Sequence, residues 1–157
     1  MLISRMWSRI VLCGVLVGIG FASLATLAPM SVGAKANGAL VQLHKTKRGM
    51  LLVNRAGFTL YMFSSDKLRK DTCMTKRGCT SVWPIERSAG KPIAGKGVKP
   101  SLLGTITLPG GRRQVTYGGH PLYSYTGDVF AGEADYIGTK QFGGVWHGVS
   151  AASRGVK

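Results

Sequence analysis

Gly57-Phe58-Thr59-Leu60-Tyr61-Met62-Phe63-Ser64-Ser65-Asp66 returns further along the chain as Gly119-His120-Pro121-Leu122-Tyr123-Ser124-Tyr125-Thr126-Gly127-Asp128. A shift of 62 residues lays Gly57 on Gly119, Leu60 on Leu122, Tyr61 on Tyr123, Phe63 on Tyr125 and Asp66 on Asp128. One further inserted residue brings Val82-Trp83 onto Val145-Trp146. A tandem duplication of this kind implies supersecondary units that bury their apolar faces against each other. The expectation is one pseudo-symmetric domain.

Outward from the aromatic stretch, short strands and turns alternate. Leu40 to His44 and Met50 to Val53 flank the basic turn Lys45 to Gly49, and Phe58 to Phe63 follows a turn at Asn54-Arg55-Ala56-Gly57 as the third strand of a meander. In that strand Phe58, Leu60 and Met62 share one face, and Thr59, Tyr61 and Phe63 the other, so both faces are apolar, as in a strand covered on two sides. Asp66 to Ser81 reads as a charged loop, and Arg87 to Pro100, with three glycines and two prolines, as a linker. The order is replayed by Leu102 to Leu108, a Pro109-Gly110-Gly111 turn, Arg113 to Tyr117 and His120 to Tyr125. Strong helical periodicity is absent after residue 36. The predicted fold is all-β: two tandem meanders, residues 38–86 and 101–152, packed as one pseudo-twofold sandwich or barrel-like domain over 37–157.

Before this domain, Arg5 and Arg9 precede the uncharged run Ile10 to Ala28, and Ala34-Lys35-Ala36 forms an Ala-x-Ala cleavage pattern. Residues 1–36 thus have the anatomy of a secretory signal helix, with an uncleaved anchor as the alternative because the run approaches the length that spans a bilayer. Cys13 opens the apolar run instead of following it, which fits a passive apolar residue and not a lipid-modified one. Cleavage after Ala36 removes three of the 21 basic side chains and no acidic one, and leaves a net charge of +12 on 121 residues. Such a charge reads first as solubility and a solvated rim, and second as adsorption to anionic envelope components such as lipid head groups or acidic glycans. Specific nucleic-acid binding is disfavoured by export and by the scatter of the charge over Lys45 to Arg48, Lys67 to Lys70, Lys76-Arg77 and Arg112-Arg113. Cys73 and Cys79 alone survive processing and, in an oxidising compartment, should form a disulfide that pins a loop. A metal or redox pair is the sharper alternative, weakened by five intervening residues with no His.

Five of the six acidic residues fall in two equivalent loops: Asp66 and Asp71, then Asp128, Glu133 and Asp135. Carboxylates at this spacing either cap turn amides or hold a divalent cation such as calcium, and the second loop, without a basic residue between Asp128 and Ile137, is the better cation candidate. His44, His120 and His147, with Met50 and Met62, offer a scattered copper or haem set. No nucleophile elbow and no phosphate-cradling glycine loop is present, so no catalytic residue is assigned. Tyr61, Phe63, Tyr123 and Tyr125 with Trp83 and Trp146 form an aromatic ladder that suits core packing, with Asp66 and Asp128 close enough in sequence to receive the Tyr hydroxyls; a stacking surface for sugars is the alternative.

With these residues in place, the chain resembles the bacterial secreted-repeat family of predicted lipoproteins of unknown function. The resemblance spans residues 38–152 and rests on Leu60 to Asp66, Cys73, Cys79, Trp83-Pro84, Pro121 to Asp128 and Trp146. Ile85 stands where members tend to carry a second Pro, the lipid-attachment Cys of many members is missing, and Gly132-Glu133-Ala134-Asp135 replaces a more glycine-rich segment. The resemblance implies export and envelope residence, periplasmic or extracellular, and brings no activity with it. Together these readings describe an exported envelope protein that acts by binding or structure without a cofactor, touching membrane only through its N-terminal segment if that stays uncleaved. The alternative is a periplasmic metal-binding or redox-associated protein, using calcium in the acidic loops or copper or haem at His and Met.

Overall fold

A computed structural model describes residues 37–157; the expected signal helix, its cleavage pattern and Cys13 lie outside the described residues. The first hairpin pairs β1 (Leu40–Thr46) with β2 (Gly49–Val53), from Thr46 opposite Gly49 to Gln42 opposite Val53. Lys47 and Arg48 form its turn, closed by the Thr46 hydroxyl, which donates to Gly49 O at 2.9 Å and accepts from Arg48 N at 3.1 Å. The aromatic strand β3 (Tyr61–Phe63) follows, then a one-turn helix α1 (Cys79–Val82) and β4 (Ile93–Ala94). The second half has β5 (Leu103–Thr107), β6 (Arg113–Tyr117), β7 (His120–Pro121), β8 (Lys140–Gln141), β9 (Gly144–Val149) and β10 (Gly155–Val156).

These strands make three sheets, ordered β2-β1-β4, β10-β9-β3 with β8 on β9, and β5-β6-β7. The all-β expectation holds. The barrel-like alternative does not: among the described residues the sheets stay open. Nor are the repeats two self-contained meanders packed side by side. β3 of repeat one pairs with β9 of repeat two, Tyr61 opposite Gly148 and Phe63 opposite Trp146. The equivalent exchange runs the other way, where Ile85 bridges Tyr123 and Glu86 N donates to Leu122 O at 2.9 Å. Each repeat therefore completes the sheet of the other, as expected of units too small to bury an apolar face alone.

Three local expectations change. The strand expected over Phe58 to Phe63 begins only at Tyr61, because the Asn54 side chain accepts from Ala56 N at 3.0 Å and Phe58 N at 3.1 Å and holds the chain in a turn. In the second copy Pro121 lacks an N–H, so pairing stops at β7 and Tyr123 continues as isolated bridges. The linker is also ordered: β4 runs parallel to β1, with Ile93 N on Ala39 O at 2.8 Å and Gly95 N on Val41 O at 2.7 Å. Gly38 permits this close approach, since a Cβ there would sit 1.9 Å from Lys91 O.

Period-2 alternation divides the core. Tyr61 and Phe63 enter an aromatic cluster with Trp83, Tyr123, Trp146, Cys73 and Cys79. Leu60 and Met62, on the opposite face, enter an aliphatic cluster with Val41, Leu52, Val115, Leu122 and Val149. The strand covered on both sides is the one the sequence predicts.

Candidate functional site

The tandem signature converges on a pseudo-twofold axis through Tyr61 and Tyr123. Tyr61 N donates to Tyr123 O at 2.8 Å, and Tyr123 N donates to Tyr61 O at 3.0 Å. Their side chains are fully buried and their hydroxyls cross between repeats. Tyr61 Oη donates to Asp128 Oδ2 at 2.9 Å, and Tyr123 Oη to Asp66 Oδ2 at 2.7 Å. The sequence-local pairing, Tyr61 with Asp66 and Tyr123 with Asp128, is therefore replaced by its exchange. Strand geometry explains this: an antiparallel pair at the axis points each ring toward the loop that leaves the other strand. The loops cross as well, with Arg69 N on Gly119 O at 2.6 Å and Gly132 N on Gly57 O at 2.9 Å. Gly57 and Gly119 have φ of +88° and +82°, a conformation that favours glycine.

The two tryptophans stack across the axis, centroids 4.0 Å apart and planes 3° from parallel. Phe63 covers the outer face of Trp146 at 4.4 Å, and Tyr125 lies on Trp83 at 4.2 Å with Tyr136 beyond it at 4.2 Å. Tyr61 meets Trp83 edge-on, and Tyr123 meets Trp146 the same way, each at 5.1 Å. The motif aromatics thus form a single column, buried from Phe63 through Trp83 and half-buried at its Tyr125 end. Symmetry breaks at the indole nitrogens: Trp83 Nε1 donates to Gln141 Oε1 at 2.8 Å, whereas the buried Trp146 Nε1 has no partner among the described residues.

Burial governs the electrostatics. It pushes Asp128 up to about 6, opposed by the Tyr61 hydrogen bond and assisted by the charges of Glu133 and Asp135. Asp66 is also raised by burial, against the hydrogen bonds from Thr72 and Tyr123. Both tyrosines are pushed far upward by burial first and by the facing carboxylates second, so they stay protonated donors. Asp66, Asp71 and Glu133 also serve local turns. Asp66 Oδ1 accepts from Thr72 N at 2.7 Å, Asp71 Oδ1 from Met74 N at 2.9 Å, and Glu133 Oε2 from Val129 N and Phe130 N at 2.6 and 3.0 Å. Asp135 pairs with Lys47 at 3.4 Å. Asp128, Glu133 and Asp135 are thus drawn to three different sets of partners.

Among the described residues no three His, Cys, Asp or Glu side chains gather as a metal-ligating group. His44, His120 and His147 lie on β1, β7 and β9, Met62 is buried in the aliphatic cluster, and Met50 is exposed. Cys73 and Cys79 are joined in a disulfide and fully buried against the aromatic cluster. Sequence reasoning passed over Gln141, Gln114 and Glu86. Gln114 is fully buried on β6 and donates through Nε2 to Leu122 O at 3.1 Å, and half-buried Glu86 is pushed up to about 7 by burial. Val115 beside Gln114 and Ile85 beside Glu86 hinted at burial, whereas Gln141 follows Lys140 on β8 and carried no such signal.

Residues 104–150 match a family model described as a secreted repeat of unknown function, the family that the tandem signature resembles. The matched stretch runs from β5 through β9 and contains Tyr123, Tyr125, Asp128 and Trp146. No curated protein and no solved structure matches the chain.

Proposed function

We propose that this chain is an exported envelope protein whose duplicated signature builds a rigid scaffold, and whose basic exterior binds anionic components of the envelope without catalysis. The observation that carries the reading is the inward engagement of the motif. Tyr61, Phe63, Tyr123, Trp83 and Trp146 are buried in one cluster, and Asp66 and Asp128 receive the two tyrosine hydroxyls there. A catalytic or sugar-stacking role would need such groups on an open cleft. The exterior is dominated by basic charge: 18 basic side chains follow residue 36 against six acidic ones, of which Asp71 and Asp128 are buried, and Lys47 and Asp135 are the only ion pair among the described residues. Export is supported by the secreted family description and by the signal anatomy of residues 1–36.

Two measurements test the proposal. Fractionation with N-terminal sequencing should recover a protein beginning at Asn37 outside the cytoplasm. Co-sedimentation should show retention on anionic vesicles and not on zwitterionic ones, weakening as salt shortens the Debye length. Equal retention on both vesicle types would refute the electrostatic part, and cytoplasmic protein would refute the address.

A further inference from the structure

The pairing that interlocks the repeats also assembles a basic cleft. Ser88 N donates to Arg113 O at 3.1 Å and Arg87 bridges Gln114, which lays the start of the linker along β6 of repeat two. The turn before β6 adds Arg112. The result is a cavity of about 330 Å³ lined by Arg87, Ser88, Ala89, Gly111, Arg112 and Arg113. A second cavity, of about 290 Å³, shares Arg87 and Arg112 and is walled by Met74, Thr80, Pro84 and Ile85. Neither lining contains a carboxylate, and none of the three arginines is ion-paired among the described residues. The Arg113 guanidinium donates to Ala89 O, which fixes one of the three groups in advance of any ligand.

We infer that this cleft binds the phosphate of an anionic amphiphile, with the phosphate among Arg87, Arg112 and Arg113 and the adjoining apolar part against Met74, Pro84 and Ile85. Guanidinium groups suit phosphate because their planar N–H pairs match its oxygens bidentately. Three like charges gathered with no carboxylate repel one another, and an anion relieves that repulsion. Met74, Pro84 and Ile85, which share the second cavity with Thr80 and two of the arginines, favour a phosphate carried on a lipid over a free one. The inference rests on the binding reading proposed above and gives it a location.

The test uses the exported protein and vesicles of phosphatidylcholine with or without phosphatidic acid. Arg87→Gln/Arg112→Gln, which keeps the Arg113 contact, should weaken binding to phosphatidic-acid vesicles by roughly tenfold or more. Lys67→Gln/Lys70→Gln, which removes the same charge elsewhere, should weaken it by less than about threefold. Melting curves establish that both variants are folded. Glycerol phosphate at matched phosphate concentration should not displace the wild-type protein from vesicles, and displacement would overturn the lipid assignment in favour of a free phosphate. Equal losses in the two variants would overturn the cleft while leaving the basic-surface reading intact. A wild-type protein that does not distinguish the two vesicle types would overturn both.

Discussion

Tyr61 and Tyr123 exchange both of their backbone hydrogen bonds, at 2.8 and 3.0 Å, and then pass their hydroxyls to the carboxylates of each other's repeats. The duplicated motif is a reciprocal lock between two half-domains. It explains why Tyr and Asp stand at their fixed separation: the spacing places Asp66 and Asp128 on loops that return to the opposite ring. A buried phenol needs one partner, and a buried carboxylate needs donors.

The stacked tryptophans should respond unequally to substitution. Trp83→Phe leaves Gln141 Oε1 without its donor, whereas Trp146→Phe removes an indole N–H that has no partner among the described residues. Denaturant unfolding should show Trp83→Phe to be the more costly by about 1 kcal/mol. Replacing either by Ala should cost roughly 3 to 5 kcal/mol. Equal costs for the two Phe variants would remove the role assigned to Gln141.

Reduction of the disulfide should loosen residues 73–79 and leave the domain folded. The short enclosed loop gives a chain-entropy contribution of about 2 kcal/mol, smaller than the packing contribution expected of either tryptophan. Hydrogen exchange before and after reduction should report faster amide exchange confined to the region from Asp66 to Val82. Exchange accelerated throughout the sheets would show that the bond holds the whole fold.

Glu86 sets a pH dependence. Its carboxyl, ordinarily at 4.5, is raised to about 7 by burial, partly offset by Asn54. The folded state therefore binds the proton more tightly than the unfolded state. That contribution to stability is fully present below about pH 4.5 and is lost as pH rises through about 7. Glu86→Gln keeps a neutral side chain throughout. The variant should match the wild type near about pH 4 and exceed it near about pH 8 by on the order of 2 kcal/mol. Asp128, shifted the same way, and His147, shifted down, are common to both proteins and drop out of the difference. A pH-independent difference would contradict this account.

Calcium and chelators should leave the melting temperature unchanged. Glu133 is occupied by two backbone amides, Asp128 by Tyr61 and Asp135 by Lys47. A bound cation would raise stability by roughly 3 kcal/mol at a hundredfold excess over its dissociation constant. A calcium-dependent rise that vanishes in Asp128→Ala and Glu133→Ala would establish a cation site in the second loop.

Much of this was legible from residue pattern alone. The repeat, the β class, the two-sided burial of Leu60 to Phe63 and the Cys73–Cys79 bond all follow from spacing and composition. The exchange between repeats was not, because Tyr61 and Tyr123 are each followed five residues on by an acid, Asp66 and Asp128, and only three-dimensional strand pairing decides which of the two each meets. β4 escaped notice because two residues carry no period, and the strand segment after Trp83 was hidden by Pro84 and by the charge of Glu86 and Arg87. The arginine cleft was invisible for a related reason: Arg87 opens the linker after repeat one, Arg112 lies in repeat two, and they meet only when the halves interlock.

The reciprocal lock is tested most directly by double-mutant cycles on unfolding free energy. Tyr61→Phe combined with Asp128→Ala, and Tyr123→Phe combined with Asp66→Ala, should each show a coupling of about 1 kcal/mol or more. The sequence-local combinations, Tyr61→Phe with Asp66→Ala and Tyr123→Phe with Asp128→Ala, should couple by less than about 0.5 kcal/mol. Larger coupling within a repeat than between repeats would contradict the exchange and return each tyrosine to the acid of its own motif.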